Sequence, residues 1–236
     1  MRAISVEDSS AIYQGGLDRG HARPKVAVDT VLFAIDQAHV KSYLVRLKWG
    51  SSAGKWAFPG GLVQEGEMLD EAARRELRQS TGLDDCYIEQ LFSFGDPKRD
   101  PEAHVISIAY MALVDQASAV RSCSQKYDSG QWFELAALPE LAYDHSEIAQ
   151  YAVRRLKSKL EYTNIACNLL PPSFTFTQLE ELYQIVLGRA LDRRNFRRRI
   201  VAMNLLTRLP LERRGNHRPA ALYTFRQRSL QVIEML

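Results

Sequence analysis

The chain has 236 residues, 46% of them hydrophobic and 25% charged, the make-up of an ordinary soluble globular protein with apolar side chains enough for one large or two small domains. No stretch approaches the ~18 continuous apolar residues of a membrane helix, the start holds no signal-peptide run, and three scattered cysteines (Cys86, Cys123, Cys167) exclude a disulfide framework or cysteine metal site, reading instead as thiols of a reducing cytoplasm. The net charge of +3 is unevenly divided: residues 1–144 carry 15 Lys/Arg against 21 Asp/Glu, a net −6, and residues 145–236 carry 16 against 7, a net +9.

Residues 1–22 read as a polar, flexible arm. "KVAVDTVLFAI" (25–35) is rich in β-formers, and "HVKSYLVRLK" (39–48) alternates as its hairpin partner. "WGSSAGK" reads as a loop leading through "WAFPGG" into a helix over 67–80, with Gly82 as its C-terminal cap. Strands follow at 86–95, 104–114 and 130–135, giving an α/β/α mixed-sheet domain over 23–144. A helix over 145–163 then crosses into a second domain, 145–236. There Pro171 and Pro172 break the chain, 177–188 forms an amphipathic helix ended by Gly188, and Asp192 caps a further helix over 193–206. "RLPLE", the basic turn "RRGNHRP" and "AALYTF" read as a hairpin. Helix, short turn, basic helix, hairpin is the order of a winged helix-turn-helix.

The segment 60–83, "GGLVQEGEMLDEAARRELRQSTGL", resembles the Nudix box, G-x5-E-x7-R-E-U-x-E-E-x-G-U with U aliphatic. Gly61, Glu67, Arg75, Glu76, Leu77, Gly82 and Leu83 fall at its fixed positions. The departure is at the adjacent acidic pair, where this chain has Gln79 and Ser80. Residues 76, 79 and 80 share one helix face, so the family's three carboxylates there would converge on one Mg²⁺. Two neutral side chains remove two of those charges, and with them the ion that would polarise a phosphoryl group and activate water. The resemblance therefore implies a pocket with no catalytic residue, no resident metal and no required cofactor, in which Arg75 and Glu76 brace the loop and helix. The rival is a working ADP-ribose or NADH pyrophosphatase that recovers metal binding through Glu65, Glu67 or Glu76.

"FGDPKRDPEAHVISIAYMAL" (94–113) looks like the segment that follows the box in ADP-ribose and NAD-type Nudix proteins. It supplies Asp96, Arg99, Asp100 and His104 beside the helix. With Gly60 and Gly61, these imply a nucleotide diphosphate pocket: Arg99 and Arg46 facing diphosphate oxygens, since guanidinium matches phosphate geometry, and Trp56, Phe58 or Phe92 stacking on adenine.

"RRNFRRR" (193–199) holds five arginines in seven residues. At helical spacing Phe196, Ile200 and Met203 form one buried stripe. Arg194 and Arg198 point away from it, Asn195 and Arg197 flank them, and Arg193 and Arg199 sit nearer the buried edge. Arginine reads guanine and asparagine reads adenine, while further cations position the backbone. Arg213, Arg214, His217 and Arg218 suit a wing. Two other readings of these residues stand beside DNA binding: a solvated arginine face, and a dock for an acidic protein. RNA is disfavoured by the lack of an aromatic stacking platform.

A degenerate Nudix box followed by a basic winged helix resembles the Nudix-related transcriptional regulators of bacterial NAD metabolism. The resemblance implies a homodimeric cytoplasmic repressor, with no membrane partner, that binds a palindromic double-stranded DNA operator and senses ADP-ribose or a related NAD-derived nucleotide.

Overall fold

The computed structural model describes residues 23–36, 38–115, 120, 126–213 and 219–233. The arm, Cys123, and the wing residues Arg214, His217 and Arg218 lie outside them. Among the described residues, ten strands and four α-helices build a seven-stranded sheet, a connecting helix and a small winged unit.

β1 (Lys25–Asp36) is the centre of the large sheet. One flank pairs in parallel with β6 (Val105–Leu113), which continues antiparallel to β5 (Tyr87–Phe94). The other flank is split. The first half of β1 pairs with β4 (Gly60–Leu62) and the second with β2 (His39–Leu47). β2 continues to β3 (Trp56–Ala57) and β7 (Tyr127–Glu134). The tip between β3 and β4 wedges into the split, where the Pro59 carbonyl accepts the Thr30 amide at 2.8 Å. β3 and β4, two and three residues long, fall after the "WGSSAGK" loop, in "WAFPGGL", to which the sequence assigns no strand; such pieces are too short for alternation to show.

β1 and β6 are buried on both faces, so their sequences run almost continuously apolar. Val31, Phe33, Met111 and Leu113 face one core, and Leu32, Ala34 and Ala112 the opposite one. α1 (Leu69–Thr81) covers the second face through Ala72, Ala73 and Leu77. It starts two residues later than expected because the Glu67 carboxylate is engaged in the preceding loop, leaving Met68 as N-cap, and it ends at left-handed Gly82 (φ 71°). α2 (His145–Tyr162) covers the first face through Ile148, Ala152 and Leu156. Its core continues into Phe174, Leu179, Tyr183 and Phe196 of the winged unit. The expected boundary at 144/145 thus falls at the start of a helix whose apolar face is shared by both units.

In the winged unit, β8 (Phe174–Thr175), β10 (Ala220–Phe225) and β9 (Leu206–Arg213) form a three-stranded sheet in that spatial order. α3 (Phe176–Leu187) begins in a capping box between Thr175 and Gln178. α4 (Arg193–Ala202) is capped by Asp192, whose carboxylate accepts the Asn195 amide at 2.7 Å. α4 is shorter than expected: Asn204 takes a left-handed conformation (φ 54°), turning the chain into β9. After β10 the chain returns to the end of α2, where buried Asn164 accepts the Gln231 amide at 2.7 Å and donates to the Ser229 carbonyl at 3.0 Å.

Candidate nucleotide cleft and nucleic-acid interface

A cleft of about 700 Å³ opens where β4, the loop before α1, the 96–103 loop and the start of α2 meet. Its walls include Gly60, Gly61, Phe58, Arg75, Glu76 and Arg99 from the sequence reading. Arg75 is the hub of the loop: Nε and Nη2 donate to the two Glu67 oxygens at 2.6 and 2.8 Å, Nη1 to Glu76 at 2.6 Å, and Nη2 also to the Leu62 carbonyl. Those bonds from Arg75, with the Gln64 amide, hold the Glu67 carboxyl down at about 2. The guanidinium therefore staples loop to helix through two carboxylates, as a bidentate fork can and an ammonium cannot.

Glu76 is 3% exposed, and its second oxygen receives the Lys126 ammonium at 2.6 Å. Lys126 also donates to the Gly60 carbonyl at 2.6 Å. Gly61 lies beneath this pair: a Cβ there would sit 2.2 Å from Glu76 Oε1 and 2.5 Å from Lys126 Nζ, so the ends of these side chains would have to move apart. Neither Gln79 nor Ser80 lines the cleft: Gln79 is exposed, and the buried Ser80 hydroxyl donates to the Glu76 carbonyl at 2.7 Å. Among the described residues no three His, Cys, Asp or Glu side chains converge to hold a metal ion. The acids present do not fit a divalent cation, because Glu67 and Glu76 are both bonded to protein cations.

The floor is a second ion-pair group, in which Asp29, Ser107, Asp144 and His145, which the sequence did not single out, join Arg99 and Phe58. Asp29 on β1 accepts the Ser107 hydroxyl at 2.5 Å and lies 3.5 Å from both Arg99 and His145. Arg99 forks onto Asp144 at 2.9 and 2.6 Å. His145 Nδ1 accepts the Phe58 amide at 3.0 Å, so its ring proton sits on Nε2, facing Asp29, while the ring stacks on Phe58. Burial raises the Asp29 pKa, but His145, Ser107 and Arg99 outweigh it and hold the carboxyl down at about 2. A carboxyl depressed on folding contributes stability above its ordinary pKa and loses it as pH falls through the folded value. Unfolding midpoints are expected to drop between about pH 4 and pH 2, by on the order of 2 kcal/mol from this group, and Asp29→Asn to flatten that segment of the pH profile.

Other sequence candidates lie outside the cleft wall. Arg46 is exposed and holds the β2–β3 loop, donating to the Gly54 carbonyl at 3.0 Å. Trp56 packs edge-on against Phe133 at 4.8 Å, turned into the core beside the β2–β7 pair. Phe92 stacks on Tyr151 of α2 at 5.0 Å, on the far side of β5. Asp96 turns its own loop by accepting the Lys98 amide, and His104 is exposed with its carbonyl paired to Lys25. For each, the strand register or a local turn aims the side chain elsewhere. Arg99 lines the cleft, but its guanidinium is committed to Asp144. Phe58 is 1% exposed, with one face already covered by His145.

On the winged unit, Phe196 and Ile200 are buried while Arg193, Arg194, Asn195, Arg197, Arg198 and Arg199 are exposed. Arg193 donates to Glu180 at 2.8 Å, and Arg197 lies over the Phe176 ring at 4.7 Å. These two are anchored to α3. Arg194 and Arg198 project beyond them, and Arg213 is exposed at the end of β9. Cys167 is buried and Cys86 half-buried. No helix among the described residues is long and apolar enough to cross a membrane.

Comparison with known proteins agrees with both units. The NUDIX domain pattern matches residues 23–156, and the NrtR DNA-binding winged helix domain pattern matches 166–225. The chain is 34% identical over 206 residues to the ADPR responsive transcriptional repressor NtrR of Acinetobacter baylyi, covering 86% of this chain and 82% of that protein. It is 33% identical over 136 residues to an ADP-ribose pyrophosphatase of Methanocaldococcus jannaschii, covering 58% and 77%. The NrtR of Shewanella oneidensis, solved with a 27mer DNA, superposes with a TM-score of 0.77 at 30% identity over 85% of this chain and 93% of that one. The NUDIX domain of the same protein, solved with ADP ribose, superposes at 0.55 and 30% identity over 62% and 97%. The chain belongs to the NrtR family, a Nudix domain followed by an NrtR-type DNA-binding winged helix.

Proposed function

We propose that this chain is a transcriptional repressor that binds duplex DNA through α4 and the wing and releases it when ADP-ribose fills the Nudix cleft. The observation that carries the reading is the pairing of that cleft with an arginine-faced recognition helix across one shared core. The Acinetobacter relative, matched over most of both chains, is named for ADP-ribose response and repression; the Shewanella protein has been solved with DNA, and its NUDIX domain separately with ADP ribose. On this reading the protein works in the cytoplasm as a homodimer on a palindromic operator, since two half-sites one helical turn apart double the contacts. Its targets are genes of NAD metabolism.

The cleft binds without cutting. Position 79 faces solvent and the Ser80 hydroxyl is turned back on its own helix, so Glu76 is the one acid of the box's helix face turned to the cleft. Sustained release of AMP from ADP-ribose with Mg²⁺ or Mn²⁺ would overturn this, in favour of a pyrophosphatase like the Methanocaldococcus relative.

Ligand and operator then compete through two arrangements of one protein, a coupling that is typically about 1–3 kcal/mol. A gel-shift titration is expected to show ADP-ribose lowering operator affinity by about 5–150-fold; unchanged affinity at saturating nucleotide would sink the proposal.

A further inference from the structure

We propose that the Lys126 ammonium is the resident cation of the cleft, standing where a divalent ion would otherwise sit, so that nucleotide binding here needs no metal. The inference deepens the ADP-ribose reading and rests on it for the identity of the ligand.

Lys126 Nζ lies 2.6 Å from a carboxylate oxygen of Glu76 and 2.6 Å from the main-chain carbonyl of Gly60. Carboxylate and carbonyl oxygens converging from two elements are the donor set that hard cations take. Here the side chain of Lys126, the residue before β7, fills it. The space is occupied as well as the charge: a Cβ on Gly61 would meet both Nζ and Glu76 within 2.5 Å. A second cation cannot enter between those oxygens unless the ammonium leaves.

The charge arrangement explains why a buried acid survives in a cleft for an anion. Glu76 Oε1 is held by Arg75 and Oε2 by Lys126; Arg75 also holds Glu67, so Lys126 is the cation that brings the two acids and two cations into balance. Removing either partner would leave a carboxylate, 5% exposed at its side chain, facing a diphosphate. Lys126 itself is 41% exposed and lines the cleft, which puts the fixed charge within reach of a ligand's phosphate oxygens. Burial opposes that charge, but the neighbouring Tyr127 and Glu76 hold the lysine above its ordinary pKa, so it is protonated at neutral pH. An ammonium supplies charge and N–H donors but carries no water to deprotonate, which suits a site that retains its ligand intact.

The test uses the full chain. Calorimetric titration with ADP-ribose in EDTA and in excess Mg²⁺ is expected to give affinities equal to within about twofold. Lys126→Gln is expected to weaken binding in EDTA by about tenfold or more, because it leaves Glu76 half-paired against the ligand, while its melting curve reports whether the fold is kept. Manganese alone, followed by electron paramagnetic resonance, is expected to stay free in the presence of the wild-type protein. A wild-type affinity that collapses in EDTA overturns the proposal, and this arm needs no variant. So does a folded Lys126→Gln protein that binds as the wild type does, or Mn²⁺ captured by the wild type and released by Glu76→Gln. If ADP-ribose fails to bind in either buffer while Mn²⁺ stays free, the effector assignment falls and the cation assignment stands.

Discussion

Replacing Arg194 and Arg198 together by alanine is expected to lower affinity for operator DNA by roughly 30- to 10⁴-fold, the sum of two bidentate base contacts worth about 1–3 kcal/mol each. Both side chains are exposed on α4, one turn apart, and neither has an ion-pair partner among the described residues. The helix itself should persist, because Phe196 and Ile200 carry its packing and Asp192 its cap. Thermal stability should therefore move by no more than about 0.5 kcal/mol, the usual range for exposed positions, and ADP-ribose affinity should be untouched. If one of the two arginines touches phosphate instead, the slope of log affinity against log salt should become shallower by about one. Arg193 and Arg197 make the informative contrast. The first pairs with Glu180, which is 7% exposed, and the second covers the Phe176 ring. Their removal is expected to cost stability as well as DNA binding. Equal loss of DNA and nucleotide binding in the Arg194/Arg198 double variant would mean that α4 is structural rather than a reading head.

The contrast between these arginines also shows which features local sequence carries. Spacing alone put Phe196 and Ile200 on one stripe and Arg194 and Arg198 opposite, because helical periodicity repeats within a few residues. The Nudix loop was legible for the same reason: Glu67 and Arg75 are eight residues apart and join one loop to one helix. The far partners were not legible. Lys126 meets Glu76 across fifty residues, and Arg99 meets Asp144 across forty-five. Those meetings depend on how β1 is shared between β2 and β4, which the two- and three-residue strands β3 and β4 settle. Phe92 and Trp56 show the converse. Aromatic character nominated them for adenine, but a strand sends successive side chains to opposite faces, and register gave Phe92 to Tyr151 and Trp56 to Phe133. Arg46 likewise has the right chemistry for a diphosphate and is spent on its own loop.

Arg99→Met is expected to destabilise the fold by about 3–5 kcal/mol, the cost of stranding buried charges whose partner has been deleted. The Arg99 side chain is 3% exposed and serves two acids, Asp144 through a two-pronged bond and Asp29 at 3.5 Å. Methionine keeps much of the stem's volume, so the loss measures charge and hydrogen bonding more than packing. Asp144→Asn should cost less, since its amide oxygen still accepts one guanidinium N–H, and Arg99→Lys should fall between the two because an ammonium cannot fork. The pair brings the 96–103 loop to the residue before α2, and α2 carries the core shared with the winged unit. Urea unfolding followed both by tryptophan fluorescence, which reports Trp49, Trp56 and Trp132 of the Nudix unit, and by circular dichroism should then show one lowered transition, because the loss sits at the shared core. Two separated transitions would mean that the Nudix unit yields alone and that α2 does not bind the two units into one cooperative structure. A midpoint equal to the wild type would mean that solvent already satisfies Asp29 and Asp144, and the ion-pair floor would then have no part in holding the cleft to the connecting helix.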